Sequence, residues 1–151
     1  MNNFLANVEK IFKTLKQFEK NLNLKNQIRT PKMSDLELIA IDLTAEYMSI
    51  DSERQLFRVL PKELSSRIER SVYNKRRRGL FYEKHRLQLS MAEYITGNET
   101  YYLVDMIRRN YAKTFDGFKT RILSKITSLT VIQLINRLLN RNINNLKISI
   151  A

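Results

Sequence analysis

From residue 3 to residue 24 the chain places Phe4, Val8, Ile11, Leu15, Phe18 and Leu22 at alternating spacings of four and three. That spacing draws one apolar stripe on an α-helix, with Lys10, Lys13, Lys16 and Lys20 off the stripe. Three heptads suffice for a coiled-coil seam, but packing within one bundle explains the same repeat and is preferred. Residues 25–33, "KNQIRTPKM", read as a linker, because Pro31 prevents a helix from running through. In the next segment Leu36, Ile39, Leu43 and Tyr47 share a face. Ser34 and Glu37 form an S-x-x-E capping box, and Asp35 adds negative charge at the positive end of that helix. From Ser34 to Glu53 there are six acidic residues and no basic one. Asp35, Asp42 and Glu46 read as a solvated helix face rather than as metal ligands.

Ser52 and Gln55 repeat the capping signature and open a short helix that turns Leu56, Phe57 and Leu60 inward. Pro61 ends it. A longer helical region begins near Lys62, with Leu64, Ile68, Val72 and Phe81 on its apolar face and Gly79 as a break. "ITGNET" (95–100) is the clearest turn. It precedes a strand-like run, Tyr101 to Val104, which ends on Asp105. Helical spacing resumes at Thr114. Phe118, Ile122, Ile126, Leu129, Ile132, Ile135 and Leu138 supply a stripe to about Asn140. The tail after it carries no clear assignment.

The composition agrees with this helical reading. The chain has 151 residues, 43% of them hydrophobic, with three Gly, two Pro and no Cys. That suits one domain or two small ones. Scarce Gly and Pro disfavour an all-β fold, and the lack of Cys excludes disulfide staples and thiolate metal sites. No run approaches the roughly 20 apolar residues of a membrane span. "MNNFLANVEK" does not resemble a secretion signal, so the expected location is the cytoplasm or the nucleoid.

The formal charge of +12 changes the picture most, since such a surface attracts polyanions. The charge is also clustered. Between Lys62 and Arg86 stand nine Lys or Arg and three Glu. Consecutive helical positions lie about 100° apart, so Lys75, Arg76, Arg77 and Arg78 wrap much of their helix, and some must face a partner or the bulk. A short capped helix, Pro61 and then a basic helix is the order of a helix-turn-helix. The candidate DNA-binding residues are Arg67, Arg70, Ser71, Lys75, Arg76, Arg77, Arg78, Lys84 and Arg86. Positions early in the second helix would reach base edges, and later cations would hold phosphates. "NKRRR" also suits RNA, a ribosomal protein or an anionic lipid surface. Tyr73, Phe81 and Tyr82 read as core residues before they read as base-stacking ones, and His85 reads as a helix-surface residue.

Chemistry is thinly represented. Phosphoryl transfer on DNA commonly uses two magnesium ions held by several carboxylates, and Asp105 alone cannot hold two. Asp116 sits in a helix-start context, "TFDGFK", and reads as an N-terminal helix charge. Glu93, Glu99 and the acidic 35–53 segment would have to complete a cluster, and nothing in their spacing supports one. There is no P-loop, no G-x-S-x-G and no Cys/His pair. A single His excludes a His-x-His metal site.

Three long segments carry a resemblance: "RTPKMSDLELIAIDLTAEYMSIDSERQLFRVLP", "IERSVYNKRRRGLFY" and "RRNYAKTFDGFKTRILSKITSLTVIQLINR". They resemble bacterial insertion-sequence transposases of family 982, DDE-type enzymes with a helical DNA-binding region and an RNase H-like catalytic domain. The resemblance implies binding of double-stranded DNA at the terminal inverted repeats of the element. It also implies magnesium-dependent strand transfer in intact members. "YYLVD" resembles the first catalytic strand, so Asp105 matches the first catalytic Asp. "MIRRNYAKTFDGFKTRI" resembles the region after the catalytic Glu, and the segments between, with the second Asp and the Glu, are missing.

The expectation is therefore a mainly α protein. Residues 1–99 would be a helical DNA-binding domain, 100–105 a remnant of the first catalytic strand, and 106–151 a C-terminal helical remnant of the catalytic domain. No metal site and no cofactor are expected, and Asp105 would be inactive. Alternatively the chain regulates transposition, competing for the inverted repeats or forming inactive mixed oligomers with intact transposase through the 3–24 helix. A homo-oligomer or a general basic nucleic-acid-binding protein are further alternatives. No membrane partner is expected.

Overall fold

The computed structural model describes residues 3–96 and 112–146. These residues form seven helices and no strand: α1 (Phe4–Leu15), α2 (Asp35–Tyr47), α3 (Glu53–Val59), α4 (Lys62–Ser65), α5 (Arg70–Gly79), α6 (Phe81–Thr96) and α7 (Phe115–Leu138). The mainly α class is as the sequence predicts. The strand-like run, with Asp105, and Glu99 lie outside the described residues. Among the described residues no helix is long and apolar enough to cross a membrane.

The helix starts follow from local chemistry. At α2 the Ser34 hydroxyl accepts from the Glu37 N–H at 3.2 Å, and the Glu37 carboxylate accepts from the Ser34 N–H at 2.8 Å. This is the reciprocal box that the spacing predicts. Ser52 caps α3 through the Gln55 N–H, and Thr114 caps α7 through the Gly117 N–H. Asp116 then lies in the first turn of α7. At their C-terminal ends, α2 and α7 share one solution. Ser49 and Asn140 take positive φ, 56° and 52°. The next N–H bonds back to Ala45 O and Asn136 O respectively, closing a Schellman turn.

α2 lies at the centre. α1, α7 and α5 pack on it, and α6 packs on α7. One core joins Phe4, Ile11 and Leu15 of α1, Leu36 to Leu43 of α2, Leu87 and Met91 of α6, and Val131 to Ile135 of α7. The helices on either side of residues 100–105 thus share a single core.

Four expectations change. The first helix ends at Leu15, not near residue 24, although Phe18 still packs on the core. Tertiary bonds draw the next segment away. Leu22 O accepts from the Leu36 N–H, and the Asp35 carboxylate accepts from the Leu24 and Lys25 N–H groups at 2.9 and 3.1 Å. Secondly, the acidic face of α2 is not solvated: Asp35, Asp42 and Glu46 are buried. Thirdly, residues 66–69 interrupt the basic helical region. The break resets the helical phase, so Leu64 and Ile68 are buried, Val72 is exposed and Tyr73 takes the inward place. Finally, the leading half of α7 buries Thr120, Leu123, Ser124 and Thr127, while Phe118 is exposed. Thr120 and Thr127 return their hydroxyl protons to carbonyls one turn back, which satisfies polar atoms on a packed face.

Candidate nucleic-acid interface

α5 carries cations all around, and α2 divides them. On one face Arg76 and Arg77 point inward. Arg76 Nη2 meets Asp35 Oδ1 at 2.7 Å. Arg77 lies 2.5 Å from Asp42, 3.5 Å from Glu46 and 3.9 Å from Glu53. Lys84 of α6 reaches the same Asp42 carboxylate and donates to the Ser124 hydroxyl at 2.8 Å. Ser124 in turn donates to Asp42 Oδ2 at 2.6 Å. Only 8% of the Arg77 side chain and 1% of the Lys84 side chain remain exposed. Glu46 also gathers Lys125 at 3.1 Å and Arg121 at 3.8 Å.

The acidic helix is thus the internal counterion of the basic ones. Burial alone would raise the Asp42 carboxyl, but Arg77 and Lys84 outweigh it and hold it down at about 2. Burial raises Glu46, and the neighbouring Asp42 adds to that rise against the pull of three cations. Burial pulls the Lys84 ammonium below its ordinary value despite Asp42. An unpaired charge could not stay in such surroundings, which is why the cations come inside.

The opposite face of α5 presents Arg70, Ser71, Lys75 and Arg78 to solvent, with Asn74 half-buried among them. Positions 70, 71, 74, 75 and 78 fall on one side of a helix. Arg70, Lys75 and Arg78 make no ion pair among the described residues. This face borders a groove of about 970 Å³, to which Arg54 of α3, Lys113 and Arg121 add positive charge and Asp51, Glu53 and Glu69 negative charge. A second groove of about 550 Å³ adjoins it, and Arg78 and Thr120 line both.

The nine candidate residues therefore separate. Arg70, Ser71, Lys75 and Arg78 stand together on the open face. Arg76, Arg77 and Lys84 are held by Asp35 and Asp42 and are not available to a phosphate in this structure. Arg67 bonds to the Lys32 carbonyl and to Glu37 at 2.9 Å. Arg86 is mostly exposed, in a surface pair with Glu19 at 3.1 Å, a kind of contact that yields readily. Sequence spacing missed Arg54, Lys113 and Lys119, because only the approach of α3 and α7 to α5 brings them to the grooves. Tyr82, expected in the core, is 79% exposed, whereas Tyr73 is buried as expected. His85 is exposed and Glu93 lies on the surface. Among the described residues no group of three or more His, Asp or Glu side chains is placed to hold a metal ion. Comparison with family models, with curated proteins and with solved structures found no match to this chain.

Proposed function

We propose that this protein binds double-stranded DNA through the open face of α5, as a cleavage-incompetent derivative of an insertion-sequence transposase. The observation that carries the binding reading is the grouping of Arg70, Ser71, Asn74, Lys75 and Arg78 on one helix face beside two grooves. The arrangement suits a helix laid along a phosphate backbone, with Arg70, Ser71 and Asn74 near its N-terminus offered to base edges. Transposase descent rests on the sequence resemblance, which also supplies the target: the terminal inverted repeats. The same resemblance leaves out the segments bearing the second Asp and the Glu, so the proposed activity is binding without strand transfer.

The test is a titration of the purified chain on an inverted-repeat duplex and a scrambled duplex of equal length, with magnesium present. Tighter binding to the repeat, with both duplexes left intact, is expected. No binding to either at low salt overturns the DNA-binding reading, and cleavage of the repeat overturns the cleavage-incompetent one.

A regulatory role remains compatible with this reading through competition for the repeats. Its suggested contact changes, because Phe4, Val8, Ile11 and Leu15 of α1 are buried in the chain's own core and offer no free seam.

A further inference from the structure

Where α6 and α7 begin, the surface carries aromatic rings that a folded chain ordinarily hides. Tyr82 is 79% exposed and Phe115 is 73% exposed. The rings are ordered by their neighbours. Tyr82 stands edge-to-face on Phe81, with centroids 5.6 Å apart and planes at 88°. Lys119 Nζ sits 5.8 Å from the Phe81 centroid and 5.2 Å from that of Phe115, bridging the two rings by cation–π contact. Lys119 also pairs with Asp116 at 3.1 Å. The groove beside them is lined by Lys75, Arg78, Phe81, Tyr82, Lys119 and Asp116, so three cations face one carboxylate.

We propose that this end of the bundle is a platform for unpaired nucleobases: bases stack on Tyr82 and Phe115 while Lys75, Arg78 and Lys119 hold the flanking phosphates. The proposal rests on the nucleic-acid reading of α5 and specifies a second mode of contact. Every nucleobase offers a π-face, and a single strand joins such faces to a regular series of negative charges. A polyanion with exposed aromatic faces complements both halves of this surface. A paired duplex has its base faces already stacked, so it uses the cations and not the rings. Arg78 lines both grooves, which makes the single-strand platform continuous with the duplex-binding face.

The experiment measures the full chain, by fluorescence anisotropy, against a labelled oligothymidylate of about 12 nucleotides and against a duplex of similar length. The double variant Tyr82→Ala/Phe115→Ala alters only exposed rings, and its helical circular dichroism should match that of the parent. It should bind the oligothymidylate about tenfold more weakly and the duplex within about twofold of the parent. Tyr82→Phe should keep single-strand binding, since the ring and not the hydroxyl is used. Duplex binding that persists while oligothymidylate binding is absent, or is indifferent to the double variant, overturns the platform and spares the duplex reading. Loss of duplex binding by the parent chain would instead strike the proposed function. Sedimentation supplies the remaining check. A parent dimer that the double variant dissociates would assign these rings to a second copy of the chain and overturn the proposal.

Discussion

At Asp42 one carboxylate meets Arg77 and Lys84 out of contact with water, and Ser124 completes its hydrogen bonding. Removing one partner from such a cluster leaves buried charge uncompensated, at a cost of about 3–5 kcal/mol. Asp42→Asn is therefore expected to lower unfolding stability by that order at neutral pH, measured by urea denaturation. The pH dependence has a definite sign. Asp42 falls from its ordinary 3.8 to about 2 in the folded chain, so it stabilises the fold above 3.8 and loses that contribution as pH falls through about 2. The loss is about 2 kcal/mol. Glu46 runs the other way, because its folded value is raised above 4.5 and its contribution grows as pH falls toward 4.5. The gap between parent and Asp42→Asn should thus shrink below pH 3.8, and a gap independent of pH would contradict the ion-paired cluster. At this scale the sequence was half legible. Four consecutive cations had to face different ways, but which of them turned inward depended on Asp35 and Asp42, 41 and 35 positions away from Arg76 and Arg77.

The helices show where local signals suffice. Ser34, Ser52 and Thr114 mark their helix starts by side-chain chemistry that needs no tertiary partner. Pro61 and Gly79 mark breaks for the same reason. The end of α1 is different, because Asp35 captures the Leu24 and Lys25 N–H groups through folding and not through local preference. Leu129, Ile132 and Ile135 are buried as their spacing predicts, but the packed face of the leading half of α7 was misread because hydroxyl residues hid it: Thr120, Ser124 and Thr127 recur with helical spacing but look polar. Backbone conformation gives two opposite substitutions the same predicted sign. Ser49→Gly should stabilise the chain by about 0.5–1 kcal/mol, since Ser49 holds φ of 56° in the turn after α2. Gly79→Ala should stabilise by about 0.4–1 kcal/mol, since Gly79 is helical and an added Cβ would come no closer than 3.9 Å to Lys25 Nζ. Thermal unfolding of the two variants checks both, and a lowered midpoint in either would contradict the local geometry.

Across the whole molecule, the charge of +12 is arranged with carboxylates drawn inward on α2 and uncompensated cations left at the α5 face and the two grooves. The charge excess and its concentration between Lys62 and Arg86 were legible in the sequence. The division of that cluster into structural and open cations was not, and neither was the arrival of Lys113 and Lys119 from a distant segment. The central claim is that the open cations hold phosphates. Its most direct test is the salt dependence of duplex binding, read as the slope of log K against log salt concentration. With Arg70, Lys75, Arg78 and Lys113 engaged, the parent slope should be about −4. Lys75→Ala/Arg78→Ala should make it shallower by about 2, with weaker binding to repeat and scrambled duplex alike. A slope near zero in the parent, or one that the double variant leaves unchanged, would contradict the account.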